Sequence, residues 1–466
     1  MKTLFDRLQP GLLTILGDSG LLTGADVAQR SDSWTGRDPC QALGVALPRN
    51  TAEVAAILRL CHRAGLPVVP QAGKTTLVQG CATRGEELVL SLERMNAIED
   101  CDAVAATMTV QAGVPLQRIQ ERAEAEGLMF PVDLGARGSC TIGGNIATNA
   151  GGIRVIRYGM TRQQVLGLEV VLADGSVLDS MNAMLKNNAG YDLKQLFIGS
   201  EGTLGIVTRA CLRLQPRPLS EQTAMLAVGS FAALGKLLRR AGELLGGQLS
   251  AFEVMWQSHY QLVAVDSGRH AAPLPAHFPY YVLVETLGSD PQRDTELFQQ
   301  AMERVMEESL AEDAVIAQSR AQRDALWAIR EDIPALMLAM NSPLSYDISL
   351  PIGHMERYVG ELEQALRRTW GEQARLLVFG HLGDGNLHLA ISVGEDTPEN
   401  RAALTELVYR PLQVLNGSIS AEHGIGLEKR AYLGYSRNAG EIALMRLLKQ
   451  TLDPKGILNP GKVLGN

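Results

Sequence analysis

Gly135-Ala-Arg-Gly-Ser-Cys-Thr-Ile-Gly-Gly-Asn-Ile-Ala-Thr-Asn-Ala-Gly-Gly152 is the stretch from which the fold is read. So dense a run of glycines argues against a packed helix or strand, because glycine loses more backbone freedom on ordering than any other residue. Ile142, Ile146 and Ile153 are out of place in a solvated linker, so an ordered loop is expected. Such a loop lets the backbone approach a large ligand closely and aims N–H groups at it. A phosphate-bearing ligand suits that chemistry.

On the N-terminal side, Leu43-Gly-Val-Ala-Leu47 reads as a strand, followed by a helix opened by Pro48 and Thr51. Val54, Ile57, Leu58 and Cys61 recur at helix spacing, Gly65 ends the helix, and Pro67-Val-Val-Pro70 is the next strand. This is a β-α-β unit. Met108–Ala112 with the helix from Leu116 to Glu126 is expected to be a second one. On the C-terminal side, Leu168–Ala173, the turn Asp174-Gly175 and Ser176–Asp179 form a hairpin. The cluster Gly199-Ser-Glu-Gly-Thr-Leu-Gly205 leads into a strand from Ile206 to Leu214, and Pro216 and Pro218 mark a domain boundary. Beyond it, long helices (Gln292 to Leu310, Ala321 to Glu331) mix with strands such as Tyr280–Glu285, the pattern of an α+β domain. A last helix, Ala439 to Leu452, precedes the tail.

Two short segments near the C-terminus carry chemistry: His381-Leu-Gly-Asp-Gly-Asn-Leu-His388 and Ser420-Ala-Glu-His-Gly-Ile-Gly426. Histidines seven apart do not share a face of one strand, whose side chains alternate. The Gly-Asp-Gly-Asn between them is strong turn chemistry, so two strand ends fold back and bring His381 and His388 toward one point. With Glu422 they make a three-ligand set for a divalent ion such as zinc, with one position left open, and His423 is available for proton transfer. That layout suits an active site better than a structural metal knot.

At 466 residues the chain calls for two to three domains, and 46% hydrophobic with 20% charged residues is a globular composition. A net charge of −8 argues against a nucleic-acid partner. No apolar run reaches the ~18 residues that cross a bilayer. The N-terminus, with Asp6 and Arg7 inside its apolar pattern, reads as an amphipathic helix rather than a signal peptide. A cytoplasmic protein is expected, with room for peripheral membrane contact. The six cysteines lie singly in the N-terminal half, with no Cys-x-x-Cys, so no zinc ribbon or iron–sulfur cluster is expected.

Taken in order, Pro70-Gln-Ala-Gly-Lys-Thr-Thr-Leu77, Pro131-Val-Asp-Leu134, Gly143–Gly152, Arg157-Tyr-Gly159 and Gly190-Tyr-Asp-Leu193 resemble the FAD domain of the vanillyl-alcohol oxidase superfamily. The two histidine segments and Gly456-Ile-Leu-Asn-Pro-Gly-Lys462 narrow this. They resemble the FAD-linked D-2-hydroxyacid dehydrogenases, the D-2-hydroxyglutarate and D-lactate dehydrogenase group. The resemblance runs from about residue 40 to residue 462. It implies an α+β fold: a two-subdomain FAD-binding domain, a substrate (cap) domain with an antiparallel sheet, and a C-terminal segment returning to the FAD domain. The expected bounds are a helical segment over 1–39, the FAD domain over 40–217, the cap over 218–410 and the returning segment over 411–466.

Carried onto this sequence, the resemblance places the cofactor pyrophosphate on Gln71, Ala72, Gly73, Lys74, Thr75, Thr76 and Leu77, and on the glycine-rich segment. Pro131, Gly138, Ser139, Thr141, Gly143, Gly144, Thr148, Asn149 and Gly152 are its residues there, and Glu201, Gly202, Ile206 and Asn459 complete the pocket. Some relatives attach flavin through a histidine in the first loop. This loop has Lys74 and no histidine, so non-covalent FAD is expected. The absence of Gly-x-Gly-x-x-Gly after a strand weighs against a nicotinamide cofactor. The resemblance also gives His381, His388 and Glu422 as metal ligands, His423 as the base, and Arg330 and Asn386 as substrate-binding residues.

The implied reaction is oxidation of a D-2-hydroxy acid to the 2-keto acid. The metal would act as Lewis acid, His423 would take the hydroxyl proton, and hydride would pass from C2 to flavin N5. The expected partners are that small molecule and an electron acceptor, either an electron-transfer flavoprotein or a quinone; a homodimer is allowed. Two departures bear on the substrate. Pro334 stands where the D-2-hydroxyglutarate enzymes carry a threonine, and Ser345 where they carry a lysine. Losing a partner to a buried second carboxylate costs on the order of 2–5 kcal/mol. A monocarboxylic D-2-hydroxy acid, D-lactate or a larger one, is therefore the alternative substrate. Met337, Leu338 and Met340 could line an apolar pocket for it. Alternatives of another class are a non-catalytic FAD-binding subunit or sensor, and a nicotinamide-using reductase of the cell-wall-precursor type sharing the N-terminal domain.

Overall fold

The computed structural model describes residues 3–33, 36, 38–340 and 343–465. It comprises two units: Met1–Gly152 with Gly159–Arg217 and Glu422–Asn466, and Ile153–Tyr158 with Pro218–Ala421. Apart from the short excursion Ile153–Tyr158, the chain crosses between Arg217 and Pro218, where the proline pair reads as a boundary. The return comes at Glu422 rather than 411, because the helix Pro398–Val414 and the segment behind it stay with the second unit.

The first unit holds two subdomains that share a large apolar core, and a smaller cluster around Val45, Val69 and Val89 packs on the smaller sheet. The smaller sheet runs Leu21–Leu22, Gly44–Ala46, Leu88–Ser91, Val68–Gln71, and its last three strands are parallel. Asn50 caps the helix Thr51–Ala64 with its side chain, and Val54, Ile57, Leu58 and Cys61 bury against the sheet. The β-α-β unit is present, with Leu88–Ser91 inserted between its two strands. The tail returns here: Leu458 bridges Val68 in parallel.

The larger sheet of this unit has five strands, Ile98–Asp102, Thr107–Gln111, Ile206–Arg213, Val165–Val171 and Val177–Ser180, all antiparallel. This corrects the expectation of a second β-α-β unit. The strand and the helix Leu116–Ala125 form, but the strand pairs antiparallel with both its neighbours, Ile98–Asp102 and Ile206–Arg213. Apolar periodicity does not report strand direction. The glycine-rich segment also departs from the expected loop, since Ile142–Thr148 is a short helix with Ile142, Gly143, Asn145 and Ile146 buried. Gly143, without a side chain, sits directly on Ala112, and that packing outweighs glycine's poor helix propensity.

The second unit is built on a seven-stranded antiparallel sheet. Its strands run Asp313–Ile316, Ser220–Val228, Tyr280–Gly288, Leu249–Trp256, Arg375–His381, Asn386–Ser392, Leu344–Ser349. One face packs on the helices Phe231–Leu245 and Pro291–Glu307. The other carries Met225, Ala251, Met255, Tyr281, Leu283, Leu377 and Phe379 into a core with Leu326, Trp327, Ile329, Ala335, Leu336 and Met340. Met340 is thus core, whereas Met337 and Leu338 are exposed, so those three residues do not line one apolar pocket.

His259 lies in the same layer, its ring 4.5 Å from that of Phe379, with both nitrogens buried and without a hydrogen-bond partner among the described residues. Burial, reinforced by the Arg330 charge, pushes its pKa down to about 3. The folded form therefore stays neutral at pH values where the unfolded chain takes up a proton. Stability is unaffected above about pH 6.5 and falls as pH drops below it, by about 1.4 kcal/mol per unit. Thermal or urea unfolding at pH 7 and pH 5 should show about 2 kcal/mol less acid destabilisation in His259→Leu than in the unaltered protein. Equal acid sensitivity in the two would refute this.

Candidate active site

In the second unit, the hairpin Arg375–His381/Asn386–Ser392 pairs Phe379 with His388. His381, two residues beyond Phe379, falls on the same face as His388. The two imidazoles meet edge to face at 5.3 Å, with nitrogens within 4.8 Å. The turn is a 3-10 segment, Leu382–Asp384, closed by Gly385 in the left-handed region. The bringing together of His381 and His388, expected from the turn chemistry, is what the structure shows.

Each histidine turns Nδ1 toward a buried carboxylate. His381 Nδ1 lies 2.6 Å from Glu253 Oε1, Glu253 being the residue paired with His381 across the neighbouring strand. His388 Nδ1 lies 3.8 Å from Asp347, its own cross-strand partner, too long for a hydrogen bond but close in charge. Neither carboxylate was anticipated. The available signal was a lone acid in each of two apolar strands, Leu249–Trp256 and Leu344–Ser349, since a buried acid needs a partner.

Arg330 Nε and Nη2 both bond Glu253 Oε2, at 2.8 and 2.7 Å, and its guanidinium stacks 4.7 Å over Phe379. This revises the expected substrate clamp. Two guanidinium nitrogens are engaged within the protein, and only Nη1 is without a partner among the described residues. Burial raises the Glu253 pKa, but the charges and hydrogen bonds of His381 and Arg330 outweigh it and hold the carboxyl below the usual range. Asn386 is buried and donates Nδ2 to Asp347 Oδ1 at 2.7 Å; its Oδ1 has no partner among the described residues. The open atom is an acceptor, so it suits a hydroxyl rather than a carboxylate. The chain leaves this unit beside the site: Ser418 bridges Ser349, and Ala421 N–H donates to Asp347 Oδ2 at 3.1 Å.

In the first unit, the N–H groups of Ala72 to Leu77 have no hydrogen-bond partner among the described residues. Six consecutive unpaired amides at the end of a parallel strand, the first five on half-buried residues, fit an anion such as a pyrophosphate. Gly73 lies so close to Ser139 that a Cβ would overlap its carbonyl oxygen, so the two segments form one cradle. Buried Thr141 Oγ1, Asn145 Nδ2 and Asn459 Oδ1 are unpaired among the described residues and fit a polar ligand.

The glycine-rich segment itself is less available than expected. Ser139 N–H donates to Ala136 O, Gly143 N–H to Ala112 O, and Gly152 N–H to Glu422 Oε1. Side chains assigned to the pocket are also tied up internally. Gln71 bonds Asp32, Lys74 reaches Ser31 O, Thr76 Oγ1 accepts from Val78 and Gly80 N–H, and Thr148 bonds Gly144 O. Asn149 accepts from Arg162 N–H. Leu77 and Gly138 are exposed, Pro131, Gly202 and Ile206 are buried, and Gly144 is half-buried. Glu201 departs furthest from its expected cofactor role. Its carboxylate accepts the N–H groups of Ile425 (2.7 Å) and Gly426 (2.9 Å), directly after His423, and Asn459 Nδ2 bonds the Glu201 carbonyl.

Comparison with known proteins decides the family. A profile described as "FAD binding domain" matches residues 42–180, and one described as "FAD linked oxidases, C-terminal domain" matches 217–463. A protein named D-2-hydroxyglutarate dehydrogenase from Xanthomonas citri pv. viticola is 43% identical, covering 94% of this chain and 93% of its own. The mitochondrial protein of that name from Bos taurus is 44% identical, over 90% of this chain and 76% of its own. The chain belongs to the FAD-linked D-2-hydroxyacid dehydrogenases. A putative D-lactate dehydrogenase of Schizosaccharomyces pombe is 40% identical over 89% of this chain and 80% of its own. Among solved structures, p-cresol methylhydroxylase with substrate bound has a TM-score of 0.79 at 14% identity, covering all of this chain and 98% of that one. An alkyldihydroxyacetonephosphate synthase has 0.76 at 18%, covering 98% of this chain and 86% of that one. These two show the fold.

FAD is thus the phosphate-bearing cofactor of the first unit. No helix among the described residues is long and apolar enough to cross a membrane. Gly152 has φ +110°, and a Cβ there would overlap the Asp133 carbonyl oxygen. Gly152→Ala should therefore lose at least about 1–3 kcal/mol of stability and purify with less flavin. Absorbance near 450 nm per protein and the melting temperature are the measurements, and unchanged values for both would refute the close packing.

Proposed function

We propose that this oxidoreductase converts D-2-hydroxyglutarate to the 2-keto acid, using FAD and a divalent ion held by His381, His388 and Glu422, with His423 as the base. The observation that carries the metal assignment is the pair of imidazoles at 5.3 Å, with ring nitrogens within 4.8 Å of each other and both Nδ1 atoms turned to carboxylates. Two imidazoles with a carboxylate suit zinc or a related ion. Covalent continuity supports Glu422 as third ligand. Ala421 is fixed on Asp347, opposite His388, and the next residue lies one peptide (about 3.8 Å) along.

FAD supplies a two-electron acceptor and the ion supplies Lewis acidity toward substrate oxygens. The protein binds, orients and takes up the proton. His423 removes the hydroxyl proton as C2 is oxidised. Asn386, held by its bond to Asp347 in the turn between the two histidines, lines the substrate position, and Arg330 Nη1 is left for a single carboxylate oxygen. The proposed partner that takes up the electrons is an electron-transfer flavoprotein or a quinone. His423→Ala should bind FAD normally and lower kcat by about 10²–10⁴-fold. Anaerobic bleaching of the flavin by substrate reads this directly, and bleaching at the unaltered rate would remove His423 from the mechanism.

The names and identities of the relatives favour D-2-hydroxyglutarate. A second reading, a monocarboxylic substrate, draws on Ser345 and Pro334. Ser345 lies exposed on the face that carries Asp347 and His388, and Pro334 opens the helix Ile333–Ala339, so neither offers a cation to a second carboxylate. Steady-state rates with an artificial acceptor across D-2-hydroxyglutarate, D-malate, D-lactate and D-mandelate separate the two. We expect kcat/KM for D-2-hydroxyglutarate to exceed the monocarboxylates by more than ~100-fold, about 2.7 kcal/mol. The reverse order would establish the second reading.

A further inference from the structure

We infer that Glu253 is a positioning residue for the metal site: it fixes the ring and the tautomer of His381, and Arg330 holds it in place to do so. The inference rests on the metal reading above. Glu253 is fully buried in the middle of the sheet, and each of its oxygens has its own partner, Oε1 with His381 Nδ1 at 2.6 Å and Oε2 with Arg330 at 2.7–2.8 Å. An ionised carboxylate only accepts hydrogen bonds, so His381 Nδ1 must carry the proton. With Nδ1 carrying the proton, a neutral ring has its lone pair on Nε2, the nitrogen that the metal reading assigns to the ion. Register fixes the direction as well as the tautomer, because Glu253 and His381 are cross-strand partners. Phe379 completes the support, with Arg330 over its face and its ring 5.2 Å from that of His388.

Arg330 is part of the device and not an incidental ion pair. A carboxylate so deeply buried would be costly to keep charged without a partner, and a guanidinium is the one side-chain cation that stays charged in such surroundings. It also decides how a neutral replacement behaves. In Glu253→Gln the single amide oxygen is drawn to Arg330, so the NH2 faces His381. That contact favours the proton on Nε2 and blocks the metal-binding nitrogen. Removing the charge as well, in Glu253→Gln/Arg330→Met, frees the amide to turn its oxygen back to Nδ1.

The test measures Zn²⁺ affinity, not turnover. The holoenzyme is stripped of metal with a chelator, FAD retention is checked at 450 nm, and Zn²⁺ is titrated in by calorimetry. Glu253→Gln should weaken Zn²⁺ binding by about 10–100-fold with flavin content unchanged. The double variant should recover most of that loss. A Glu253→Gln protein that binds Zn²⁺ as tightly as the unaltered one overturns the inference. A double variant as weak as the single one also overturns it, since loss of packing alone would explain both. If Glu253→Gln does not fold, Glu253→Asp keeps the charge and the Arg330 pair but withdraws the oxygen from Nδ1. It should then weaken Zn²⁺ binding without lowering the melting temperature comparably, and full affinity in it overturns the inference. An unaltered protein that takes up no stoichiometric Zn²⁺ overturns the metal reading itself. Tight binding by the unaltered protein with unchanged binding by the variants overturns this inference alone.

Discussion

The register of the central strands of the second unit is the constraint on which its chemistry depends. Phe379 opposite His388 and Glu253 opposite His381 are two consequences of one alignment, and Asp347 opposite His388 is a third. Because side chains alternate along a strand, a slip of one residue in Arg375–His381 would send His381 to the opposite face, away from Glu253 and His388. The apolar residues of the same strands resist that slip. Leu377 and Phe379 would leave a core that also holds Met225, Met255, Tyr281 and Leu283. The hydrophobic pattern that stabilises the sheet is thus also what aligns the polar residues on it.

That alignment places two carboxylates, Glu253 and Asp347, in the interior, each 0–1% exposed. Isolated, each would be neutralised or would destabilise the fold by several kcal/mol. Both are compensated, in different ways. Glu253 has a permanent cation and an imidazole, whereas Asp347 has dipoles: the Asn386 amide and the Ala421 N–H. Only Glu253 is close enough to hydrogen-bond its histidine.

The legible part of this structure was local. The turn Gly383–Asn386 sits inside the motif that carries both histidines, and the caps and breakers Pro48, Gly65, Asp174-Gly175 and Pro218 lie within a few residues of the elements they bound. Strand direction was not legible, because Met108–Ala112 has the same apolar pattern in a parallel or an antiparallel sheet. The helix Ile142–Thr148 was hidden for a related reason: its stability comes from contact with Ala112, not from its own sequence. Arg330 shows the limit most clearly. Its guanidinium fits a substrate carboxylate or an internal one equally well by chemistry, and Glu253, 77 residues away in sequence, takes two of its nitrogens.

In the first unit, motifs that read as separate in sequence are one hydrogen-bonded assembly. Gly152, at the end of the glycine-rich segment, donates to Glu422, and Glu201, from the second glycine cluster, accepts from Ile425 and Gly426. Asn459 from the tail ties Glu201 to Gly80, beside the first loop. His423 lies between these attachments, with the residue before it and the second residue after it both tied. A flexible Gly-flanked loop would have to pay conformational entropy each time it brought a base into position. Here the chain on both sides of His423 is anchored, through the Glu422 side chain and the Ile425 N–H, so its placement relative to the cofactor cradle is set before any substrate binds.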